Sequence, residues 1–158
     1  MNEKIKWLVA LIFLSILAGN GYYQNKKIKD LKLLDANIYI DKETNTMWQN
    51  QIYSKEERNA FLDGISNNKV DTWINAKTYC STLTLNGMTD WELPDITDLD
   101  SIFKKKKDLK DYTLWPYWSS TTDGRNKDLA LGINFGRYDV LSRKKERVAY
   151  IRCFRKID

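Results

Sequence analysis

Histidine is absent from all 158 residues. Without an imidazole there is no Ser-His-Asp or Cys-His pair, no His-ligated zinc, and no His-based switch near neutral pH. Proline occurs twice and glycine seven times. The glycines fall in neither GxGxxG nor GxxxxGK[ST] spacing, so no phosphate-cradling loop is written into the chain. Collagen repeats, heptad arrays and internal duplications are missing too. Ser119, Ser120 and Thr121 have neither a histidine nor a lysine set up as base, and read as hydroxyls that satisfy backbone groups. The expectation is a protein that is not an enzyme, with no cofactor and no metal.

What the chain does contain is aromatic residues, 13% of the total with six Trp, and a net charge of +5. Rings at this density fill a core before they form a cofactor box. The length suits one domain with a single core and an N-terminal appendage.

That appendage divides in two. Residues 1–23 open with Lys4 and Lys6, continue through an apolar run from Trp7 to Ala18, and reach Gly19-Asn20-Gly21. A basic start, an apolar middle and small residues describe a secretory signal. The run 7–23 also suits a short membrane anchor of about 25 Å, with Trp7 at one end and Tyr22-Tyr23 at the other as interfacial rings. Residues 24–36 are polar and lysine-rich and read as a stalk. Residues 37–158 form the domain.

Only Cys80 and Cys153 carry thiols. In an oxidising compartment such a pair reads as one disulfide; the alternative is two separate buried thiols in a cytosolic protein.

Along the domain, Ile38-Tyr39-Ile40 and Thr46-Met47-Trp48 flank a turn at Asp41–Asn45 and predict a hairpin. Ser54-Lys55-Glu56-Glu57 is a capping box opening a helix with Ala60, Phe61 and Ile65 on its apolar side. Asp71 is placed as cap of a second helix, with Trp73, Ala76, Cys80 and Leu83 inward and Asn86-Gly87 as its end. Asp95 caps a third, with Ile96, Leu99 and Phe103 inward and Lys104–Lys107 at its negative pole. Beyond Trp115 the period becomes two, in Leu129, Leu131, Ile133 and Phe135 and again in Val148 to Cys153. Helices early and strands late predict an α+β fold.

An ordered series of short words runs through these elements: Met47-Trp48-Gln49, Tyr79-Cys80, Asp90-Trp91-Glu92-Leu93-Pro94, Trp118-Ser119-Ser120-Thr121 and Arg152-Cys153. In this order they resemble the bacterial Lcl C-terminal domain family over about residues 38–156. Asn45 and Glu92 depart from the family's usual glycine and arginine. The resemblance implies a C-type-lectin-like domain of two to three helices and a small, mostly antiparallel sheet, with first and last strands paired and the two cysteines bridged. It also points to adhesins, because the family includes a collagen-like adhesin that binds sulfated glycosaminoglycans. No collagen stalk is present here, so that protein's trimerisation does not carry over.

Two basic clusters are candidates for a polyanion: Lys104, Lys105, Lys106, Lys107 and Lys110, and then Arg143, Lys144, Lys145 and Arg147. On one shared face they would make a single patch. Trp115 and Tyr138 stand outside the family words and are candidates for stacking on sugar rings, whereas Trp91 and Trp118 read as core. Asp90, Asp95, Asp98 and Asp100 offer hard oxygen ligands for calcium, but helix capping explains them more simply. The leading expectation is an exported envelope domain, periplasmic and membrane-tethered or secreted, that binds an anionic glycan or surface polymer. The alternative is a tethered accessory docking onto an envelope machine such as a pilus, secretion system or flagellar motor. Export makes nucleic acid an improbable partner.

Overall fold

The computed structural model describes residues 37–157. The signal-or-anchor segment and the stalk lie outside these. Among the described residues no helix is long and apolar enough to cross a membrane.

The first hairpin forms as its turn residues dictate. Strands β1 (Ile38–Asp41) and β2 (Thr46–Gln49) pair antiparallel with Tyr39 opposite Trp48. Asp41 accepts the Glu43 amide, and Asn45 takes a φ of 53°, the left-handed conformation that asparagine tolerates better than most residues. Helix α1 (Lys55–Asp63) starts at the predicted capping box, with Ser54 and Glu57 bonded reciprocally, and stops at Gly64 with a φ of 71°. Because the left-handed glycine ends the helix there, Ile65 leaves the apolar stripe and is exposed, contrary to the periodicity reading.

Strand β3 (Val70–Asp71) leads into helix α2 (Trp73–Thr82). The expected cap shifts by one residue. Thr72 occupies the N-cap position, while Asp71 accepts from the Thr72 amide and from Asn75 Nδ2. Asn86-Gly87 does not end this helix. Both residues have positive φ in a tight turn that brings Leu85 against Met88, and α2 has already stopped at Thr82. Helix α3 (Ile96–Lys104) is capped by Asp95, which accepts the Thr97 and Asp98 amides.

Five further strands follow: β4 (Pro116–Thr122), β5 (Leu129–Asn134), β6 (Asp139–Lys144), β7 (Ala149–Tyr150) and β8 (Phe154–Lys156). They build two sheets, ordered β1-β2-β8 and β3-β7-β4-β5-β6. All pairings are antiparallel except β4 with β7. The last strand pairs with the second, Trp48 opposite Phe154, and not with the first as the resemblance implies. The period-two reading of Val148 to Cys153 as one strand is also corrected. Ala149 and Tyr150 belong to the larger sheet, Phe154 begins the smaller one, and Ile151–Cys153 crosses between them.

β5 departs from simple alternation as well. Ala130 is buried while Leu129 and Leu131 are only half-buried, because β4 and β6 flank the strand and other elements cover it. Its closest approach is at Gly132, where an added Cβ would run into the Tyr117 carbonyl oxygen. Buried residues fall into two clusters. One holds Trp48, Tyr53, Leu99, Ile102, Tyr117 and Phe135; the other holds Trp73, Trp91, Trp118 and Ile151 around the cysteines. Cys80 and Cys153 are bridged, 73 residues apart in sequence and fully buried. Trp91 and Trp118 are core residues, as expected.

Candidate functional site: a cationic strand end and an aromatic groove

The two lysine- and arginine-rich clusters sit at opposite ends of one hairpin. Lys106 Nζ donates to the carbonyl of Phe135, just past the end of β5, whereas Lys144 is in register with Leu129 at its start. Six residue steps at about 3.3 Å separate these ends by roughly 20 Å. The single shared patch therefore does not form.

The first cluster is largely paired within the domain. Lys104 meets Asp100 at 2.7 Å, and Lys105 meets Asp41 and Glu43 at 2.7 Å each. Those bonds hold both ammonium groups above their ordinary pKa. Lys106 lies 4.0 Å from the Phe103 ring centroid, and burial lowers its pKa. Lys107 and Lys110 are exposed. The acidic run is similarly occupied. Asp90 grips Arg155 with both oxygens, Asp95 caps α3, and Asp100 binds Lys104 and the Tyr138 hydroxyl. Asp98 is raised by burial and by Asp95. Among the described residues no three acidic or thiol groups converge as metal ligands would.

The second cluster is reinforced by residues the sequence reading missed. Lys127, Lys144 and Lys145 line one shallow depression with Asn126, Asp128 and Glu146. Lys145 Nζ donates to the Lys127 carbonyl and lies 4.1 Å from the centre of the Trp73 ring, and Lys77 lies 4.8 Å from the same ring. Lys77 and Lys127 stand alone in sequence, so no run of charge announces them. Docking of α2, where the Trp73 amide donates to the Lys145 carbonyl, brings in Lys77, and the pairing of β5 with β6, where the Lys145 amide donates to the Asp128 carbonyl, brings in Lys127.

Arg143 faces another way. Its guanidinium donates to the Val148 carbonyl and lies 6.0 Å from the Phe61 ring centroid. Burial and the neighbouring Arg147 lower its pKa. Phe61 in turn contacts Trp115 at 5.5 Å and Tyr150 at 4.8 Å. Beyond them is a groove of about 300 Å³ between α1 and the loop before β4, lined by Arg58, Leu62, Tyr112, Leu114, Trp115 and Tyr150.

Trp115 is 49% exposed and Leu62 and Leu114 more so. Arg58 is fixed from behind, with Nη2 against both oxygens of Asp111 and Nε donating to the Tyr53 carbonyl. Tyr150 is 1% exposed, and burial pushes its phenol up to about 12. Tyr138 stands elsewhere. It is half exposed, with one ring face stacked on Phe103 at 4.3 Å and a φ of 56°. Ser119 donates to the Leu131 carbonyl and Thr121 accepts the Ile96 amide, so these hydroxyls serve the backbone.

The family model of the Lcl C-terminal domain matches residues 37–155. A search of curated proteins finds no match.

Proposed function

The chain belongs to the Lcl C-terminal domain family, and from that premise we propose a non-enzymatic, exported envelope module that binds an anionic glycan or similar surface polymer. The fold is read as C-type-lectin-like, which is supported by the shared sheet of early and late strands and by the bridge from α2 to the closing segment. Export is supported by the segment 1–23 and by a buried disulfide, which persists where thiols oxidise. Residues 7–23 then tether the domain in the periplasm if they are retained, or release it if cleaved.

One observation carries the ligand class: Lys77 and Lys145 flank the Trp73 ring, and Lys145 shares a surface depression with Lys127 and with Lys144, which meets Glu146 only loosely at 3.8 Å. Compact ammonium groups spaced along a surface suit sulfate and phosphate as point charges. Lys104 and Lys105, spent on Asp100, Asp41 and Glu43, contribute less.

The test is retention on immobilised heparin across a salt series, because surface charges are screened over about 8–10 Å at physiological ionic strength. Exchange of Lys127, Lys144 and Lys145 for serine should lower the eluting salt clearly. Exchange of Lys104 and Lys107 should lower it little. Retention indifferent to salt and to both variants would discard the reading.

A further inference from the structure

Tyr150 presents an unusual combination. Its ring is packed on Tyr53 at 5.0 Å, Phe61 at 4.8 Å and Tyr117 at 5.7 Å. The residue is 1% exposed and lines the groove. Yet its hydroxyl makes no hydrogen bond to any described residue, whereas the neighbouring buried tyrosines do: Tyr53 donates to the Ile151 carbonyl, and Tyr117 accepts the Thr113 amide. Among the described residues the side-chain atom sealed from solvent without a partner is Arg152 Nε, not this hydroxyl, so the Tyr150 phenol opens on the groove it lines, where water or a ligand group takes the place of an internal partner.

Three other features surround that hydroxyl. The Trp115 indole is half exposed and braced by Phe61, a flat platform fixed in orientation. Leu62 and Leu114 add exposed apolar area to the wall of the groove. Arg58 spends Nε and Nη2 on Tyr53 and Asp111, which leaves Nη1 with no partner among the described residues while its side chain stays 41% exposed. Asp111 is already occupied by Arg58 and by the Tyr53 amide, so its charge is offset where an incoming anion would approach. Arg143 and Arg147 add positive potential behind Phe61.

We infer that this groove is a subsite for one carboxylate-bearing sugar ring, of the hexuronate type, within an anionic glycan. The apolar C–H face of the pyranose lies on Trp115, a ring hydroxyl meets Tyr150, and the carboxylate meets Arg58 Nη1. The volume of about 300 Å³ is at the small end of ligand sites and suits a ring better than a folded partner. A carboxylate attached directly to the ring brings charge and stacking face together, and a planar guanidinium is its natural complement. This subsite rests on the anionic-glycan reading and adds to it what the lysine end does not supply, recognition of an individual sugar.

The experiment titrates the full chain with an unsulfated hexuronate oligosaccharide and with a neutral oligosaccharide of equal length. Calorimetry is read together with the Trp115 indole resonance. Binding of the hexuronate alone is expected. Tyr150→Phe should weaken it about five- to tenfold, the worth of one hydrogen bond, while leaving the melting temperature unchanged because no internal bond is lost. Trp115→Ala should weaken it by tenfold or more. The Lys127, Lys144 and Lys145 triple variant should not alter it, although it loses heparin.

Equal binding of the neutral sugar, or a Tyr150→Phe variant with full affinity, overturns the subsite while the heparin result stands separately. Conversely, hexuronate binding without any salt-dependent heparin retention overturns the lysine surface and leaves the groove.

Discussion

Arg152 donates from Nη1 to the carbonyl of Gln49 inside the core, and through Nη2 the same guanidinium reaches the carbonyl of Asp111. It is 1% exposed, with the Tyr53 and Tyr117 rings 5.5 and 5.9 Å from its centre. Among the described residues no carboxylate oxygen bonds it. Backbone carbonyls and aromatic faces take over that role, so this charge is built into the crossing between sheets.

Replacing Arg152 with Met should therefore destabilise the domain by about 3 kcal/mol or more, since two carbonyls lose a charged donor. Arg152→Lys should rescue only part, because an ammonium is a point donor without the fork. Urea denaturation midpoints of the three proteins check this. A Met variant as stable as the parent would refute the role.

The disulfide closes 73 residues, worth about 4 kcal/mol in the chain-entropy description. Exchange of both cysteines for alanine should lower the denaturation midpoint accordingly. Thiol reagents and mild reductant should leave the folded protein untouched, because both sulfurs are fully buried.

Gly132→Ala should cost about 1–3 kcal/mol as an overpacking change, because the new methyl would meet the Tyr117 carbonyl oxygen and force β4 from β5. Gly124→Ala, where nothing lies within 4 Å, is the matched control and should be nearly neutral. Thermal melts of both variants decide it.

Asp41 gives a pH dependence with a definite sign. Burial alone would raise its pKa, but the bonds from Lys105, Thr44 and the Glu43 amide outweigh burial and hold it below the ordinary carboxylate value. A depressed folded pKa means that stability is fully present above the unfolded value and is lost as pH falls through the folded one. The difference in stability between the parent and Asp41→Asn should be flat from about pH 5 to 9 and shrink below about pH 4. Urea midpoints across that range test it.

Much of the architecture was legible because its signals are local. The capping box at Ser54 and Glu57, the Asp95 cap and the positive φ of Asn45 each depend on a few adjacent residues. The disulfide followed from there being only two cysteines, one of them on a buried helical stripe. Errors came where tertiary pairing decides. Val148 to Cys153 alternates like one strand, but β4 captures Tyr150 and β2 captures Phe154, so the segment splits.

The site was less legible still. Trp115 was visible as an outlying aromatic, whereas Tyr150 and Arg58 carry no local mark. A tyrosine hydroxyl without a partner is a property of packing, and no sequence spacing encodes it. The lysine run from Lys104 to Lys107 drew attention because it is contiguous, yet its carboxylate partners, Asp41 among them, lie as far as 64 positions away.

The crossing at Ile151–Cys153 also sets when folding can finish during synthesis. β7, the buried guanidinium, one sulfur of the bridge and β8 all arrive within residues 149–156. A nascent chain stalled before Ala149 can complete neither sheet and has no oxidation partner for Cys80, so closure of the domain waits on its last ten residues.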